Sequence, residues 1–130
     1  MKQSLLQEKY PIYSLELAKS ETTLQGVDAI IGYLRQKVEE HPAAQVIAVF
    51  DHYAHTKSLP NGEISPDIVD AKNLVFCFGM KLPSAAVLAV RPRSIGVSET
   101  KDGYVINFLE APMPVANEAM EQWVKSIAAA

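Results

Sequence analysis

Leu24, Val27, Ile31, Leu34 and Val38 recur at spacings of three and four, which places them on one face of a helix. The stripe follows Thr22, whose hydroxyl can accept a bond from an orphan amide of the first turn while Gln25 reaches back. It stops before Pro42, which cannot continue a helix. Gly26 and Gly32 weaken this helix by about 1 kcal/mol each, a cost that close approach to a sheet would explain. Most helical stability in a folded protein comes from packing an apolar face, so the helix needs a surface to cover.

The rest of the chain supplies that surface in segments of strand period. From about Tyr10 to Lys19, Tyr13, Leu15 and Leu17 alternate with Ser14 and Glu16. Gln45 to Ala54 is a second strand with a continuous apolar run, Val46 to Phe50. A strand apolar on both faces is expected to be central, or to have its outer face covered, for instance by a partner subunit. Asn73 to Met80 is a third strand, with Leu74, Phe76 and Phe78 on one face and Val75, Cys77 and Gly79 on the other. Ser94 to Glu99 and Tyr104 to Leu109 form a hairpin across Lys101-Asp102-Gly103, since Asp-Gly tolerates the positive φ of tight turns. Pro114 opens a second helix, in which Ala116, Met120, Trp123 and Ile127 make the apolar stripe.

The predicted fold class is therefore α+β: an antiparallel sheet of about five strands with two helices on one face, in the order β-α-β-β-β-β-α. The 130 residues make one domain, with an ordered core from about residue 10 to 127. Residues 55–71 are the least regular part and carry the turn signal Leu59-Pro60-Asn61-Gly62. A connection of that length reads as a lid or a binding loop.

Charge and composition narrow the function classes. Twelve basic against 15 acidic side chains give a net charge of −3, with no basic block, which argues against nucleic acid as a partner. No apolar run is long enough for a signal peptide or a membrane helix, so the expectation is a cytoplasmic protein with no membrane partner. A single cysteine excludes an internal disulfide and any multi-cysteine metal cluster.

Three further segments carry a resemblance. Val46 to His52 ends in Phe50-Asp51-His52; Leu74 to Gly79 ends in Phe78-Gly79; and the hairpin from Ser94 to Phe108 is followed by Ala111-Pro112. In this order they resemble the bacterial domain-of-unknown-function 302 family, over about Tyr10 to Ile127. Met80-Lys81 stands where that family has Asn-Pro, and Thr56 where it has alanine, which marks a divergent relative or a sister family. The resemblance implies a fold like that of the TATA-binding protein and a homodimer. It implies no activity.

The candidate ligand-binding residues are Asp51, His52, His55, Cys77 and Met80. If the second strand continues through them, parity puts His52 opposite Asp51 and His55. A metal would need three or four ligands, with Cys77 as a soft addition from the next strand. Against this stands a structural role, in which Asp51 or His52 fixes the backbone of the following loop. Cys77 reads first as a small buried residue. Arg91 and Arg93 could fork onto a carboxylate or phosphate, or lie in a solvated turn before an edge strand. Met80, Met113, Met120 and Trp123 could line an apolar pocket between helix and sheet. No Gly-rich phosphate loop, HExxH, CxxC or Gly-x-Ser-x-Gly motif occurs. No catalytic residue is assigned, and neither a cofactor nor a metal is specified. The expected function is that of a noncatalytic domain that binds a small apolar ligand, or of an accessory homodimer. The alternative is a metal- or thiol-dependent enzyme built on Asp51, His52, His55 and Cys77.

Overall fold

A computed structural model describes residues 1–130. In chain order the elements are β1 (Lys2–Leu6), β2 (Tyr10–Ala18), α1 (Val27–Glu40), β3 (Ala44–Phe50), α2 (His52–Ser58), β4 (Ile68–Phe78), β5 (Arg93–Thr100), β6 (Gly103–Leu109) and α3 (Pro114–Lys125). The six strands form one antiparallel sheet in the order β1-β2-β6-β5-β4-β3. Two helices, α1 and α3, cover one face and bury Ile30, Leu34, Met120 and Val124 against Leu74, Phe76, Ile95 and Ile106. The α+β class and the two-helix layer are as expected; the strand count is six instead of five.

The additional strand is β1. It pairs with β2 through a turn at residues 7–9, where Gln7 and Glu8 both have positive φ. The side chains of β1 are mostly exposed, so backbone pairing holds it rather than an apolar pattern.

Other details correct the expectations. β3 ends at Phe50, because Asp51 Oδ1 accepts from Ala54 N at 3.0 Å and starts α2. The strand is at the sheet edge, not central, and Ile47, Val49 and Phe50 are 55%, 39% and 40% exposed. β4 begins at Ile68, because the segment before Asn73 pairs with β5 although β3 does not reach it. α1 begins at Val27 behind Gly26, whose φ of 95° no other residue adopts easily. The Thr22 hydroxyl instead donates to Ile127 O, tying the start of α1 to the chain's end, and Gln25 Nε2 donates to the carbonyls of Lys19 and Thr22. Gly32 has open space around it, so close approach is not its purpose. Gly103 has a packing role: a Cβ there would stand 2.0 Å from Leu17 O on β2, and its φ is not positive.

Candidate ligand cavity

At one end of the sheet the polypeptide forms an open cavity of about 290 Å³. Phe78 ends β4 in its wall, Ala111 and Met113 lead into α3, and Ala116 on the first turn of α3 closes the floor. The segment between β4 and β5 supplies Val87 and Val90. A volume near 300 Å³ with mostly apolar walls sits at the small end of ligand sites.

Two arginines enter this apolar setting. Arg93 is the first residue of β5, with Ile95 and Val97 on the same core-facing side. It is 8% exposed. Its Nη2 donates to Leu109 O and its Nη1 to Val90 O at 3.4 Å, while the buried Nε–H has no acceptor among the protein atoms. None of the chain's five ion pairs involves Arg93 or Arg91. Burial lowers the Arg93 pKa below the ordinary arginine value, because the charged form loses its water. Arg91 lies closer to the surface and donates from Nη1 to Lys81 O at 2.6 Å. Its guanidinium rests against Gly79, where a Cβ would come within 2.6 Å of it, so the missing side chain makes room for the arginine. Phe78-Gly79 and Ala111-Pro112, two of the segments that carry the sequence resemblance, therefore meet at this cavity.

The sequence weighed Arg91 and Arg93 toward a solvated turn before an edge strand. The structure corrects both parts: Arg93 is buried, and β5 lies between β4 and β6. Met113 lines the cavity as the pocket reading expected. Met120 and Trp123 belong to the core.

The five residues named from the sequence do not form one site. Asp51, His52 and His55 gather where β3 meets α2, with both imidazoles about 5 Å from the Phe50 ring and Asp51 acting as the N-cap. His52 Nδ1 lies 3.0 Å from Asn73 Oδ1, and Asn73 Nδ2 donates to Ser94 Oγ at 3.1 Å. Cys77 follows Asn73 by four residues on β4, a rise of about 13 Å at the usual strand spacing. Zinc bonds of about 2.0–2.3 Å do not span that gap, and no three His, Cys, Asp or Glu side chains gather as metal ligands. Cys77 is half-buried on the sheet face away from α1 and α3, not in the core, because it alternates with Phe76 and Phe78. Met80 is 79% exposed in the loop after β4. Beside α2 a second cavity of about 290 Å³ has a more polar lining, including His52, Tyr53, Thr56, Glu63 and Ser98.

Comparison with known proteins agrees with this architecture. A family model described as "Family of unknown function (DUF6858)" matches residues 1–129. The crystal structure of an uncharacterized conserved DUF302 protein from Bacillus stearothermophilus is similar at a TM-score of 0.56 and 15% identity, covering 91% of this chain and 87% of that one. At that identity the likeness shows the fold alone. No curated protein matches the sequence. No helix is long and apolar enough to cross a membrane.

Proposed function

The chain belongs to the DUF6858 family of unknown function, and since membership brings no activity with it, we propose from the geometry a noncatalytic domain that binds a small, largely apolar ligand and works as a homodimer. The observation that carries the ligand reading is the apolar cavity between the sheet end and the first turn of α3, walled by Phe78, Val87, Val90, Met113 and Ala116. Such inter-layer cavities are the usual place for small ligands in folds of this kind.

A thermal-shift screen with small hydrophobic compounds and haem tests this reading. A ligand at one hundred times its Kd adds about 2.7 kcal/mol, or a rise of several degrees in Tm for a chain of this size. No shift with any class of compound would remove the ligand reading.

The dimer reading is supported by β3, an edge strand with exposed Ile47, Val49 and Phe50. Sedimentation at micromolar concentration is expected to give twice the chain mass of 14.3 kDa. A monomer would overturn it. We place the protein in the cytoplasm on the strength of its one free cysteine.

A further inference from the structure

We propose that the cavity at the sheet end selects ligands with a carboxylate head, received by the guanidinium of Arg93, which lines it. This deepens the ligand reading above and rests on it.

Arg93 is costly as the fold holds it. Guanidinium has five N–H donors. Two are spent on the carbonyls of Val90 and Leu109, and the Nε–H is sealed from solvent without an acceptor, which leaves the other Nη–H groups for a ligand. A buried donor without an acceptor is destabilising, and more so when charged. Neither carbonyl carries a formal charge, and no acidic side chain of this chain pairs with Arg93. Two neutral carbonyls do not require a cation, and a neutral amide donor would serve them as well. The fold instead retains a cation and fixes its orientation with two carbonyls.

The walls then define the rest of the ligand. Behind the cation they are Phe78, Val87, Val90, Met113 and Ala116, with no acid among them. They fit a small apolar body such as an aromatic ring or a short acyl chain. Of the two cations in the lining, Arg93 is the buried one and so pairs with a single negative charge of the ligand. A planar carboxylate accepts two parallel bonds from a guanidinium edge, while a phosphate brings up to a second charge into the same apolar walls. Arg91, held to Lys81 O above Gly79, lies at the more exposed side and adds attraction for an entering anion.

The test measures the full-length protein against three matched probes by calorimetry: 2-naphthoate, the uncharged 2-naphthamide and 2-naphthyl phosphate. The expected result is that the carboxylate binds about tenfold or more tightly than the amide, as a charge-assisted pair allows. Arg93→Met is expected to erase that preference while still binding the amide. Because this variant removes a charge from an apolar setting, its Tm also reports whether it folds. Equal binding of carboxylate and amide by the native protein would overturn the carboxylate assignment and leave the cavity as a ligand site. Tightest binding of the phosphate would overturn it as well. If none of the three binds, the ligand reading itself falls.

Discussion

At the scale of single residues, side chains were legible in the sequence where they follow a period and illegible where they break one. Arg93 shares the parity of Ile95 and Val97, so a strand begun one residue earlier would have turned it inward on paper. Its polar character argued for a loop, and burial of an arginine is rare enough to favour that reading. Asp51 was legible as a loop-fixing residue, and it is the N-cap of α2. Asp51→Ala is expected to cost about 1 kcal/mol in denaturant melts, the usual value of a cap. Gly103→Ala is expected to cost about 1–3 kcal/mol, because the new methyl meets Leu17 O at 2.0 Å. The sequence marked Gly103 as a turn residue for its φ, but its importance lies in the strand beside it. Arg93→Met is expected to cost about 1–3 kcal/mol, because it leaves Val90 O and Leu109 O without their donors. No loss on that substitution would mean that water satisfies both carbonyls.

At the scale of elements, α1 and α3 were readable because each has one apolar face against the sheet. β1 was not, because Lys2–Leu6 buries little and its turn uses Gln7 and Glu8, without the Asn or Gly that announces positive φ. The short α2 was missed for a related reason: it buries no side chain, so no period marks it. Lys72 joins several of these pieces. From β4 its ammonium donates to Asp28 on α1 and lies 3.8 Å from Asp51 at the start of α2. Its hydrogen bond to Asp28 raises its pKa above 10.5, outweighing the opposing effect of desolvation. A raised folded-state value means that the stabilisation is present throughout neutral pH and is lost as pH climbs through that raised value. Lys72→Met is therefore expected to destabilise by less than about 1 kcal/mol at pH 7. Its difference from the native protein should shrink above pH 10.5. A difference unchanged at high pH would assign the effect to packing of the lysine stem.

At the scale of the whole molecule, the sequence led to the architecture but did not point to the cavity at the sheet end. The fold was legible because helix stripes and strand alternation leave little choice of layers. The cavity was not, since its walls come from three stretches of the chain, at Phe78, 83–93 and 111–116, that no local period connects. Phe76→Ala tests the layers themselves: with no exposed surface in the native fold, its truncation should cost about 3–5 kcal/mol. A smaller cost would mean that the two layers close over the gap. The sheet also ends in two unlike edges, β1 and β3. The β3 edge exposes Ile47, Val49 and Phe50, while the β1 edge opens with Lys2 and ends on exposed Leu5 and Leu6. Pairing β3 with the β3 of a second copy closes after two subunits, around a twofold axis. Pairing β3 with another copy's β1 leaves a free edge of each kind, so subunits would add without limit into a fibre. On β1 only Lys2 opposes such growth with a charge, while Leu5 and Leu6 leave the rest of the edge apolar. Lys2 thus bears on whether assembly ends at a pair or runs on, and a β1 made apolar at Lys2 is where unlimited growth would first show.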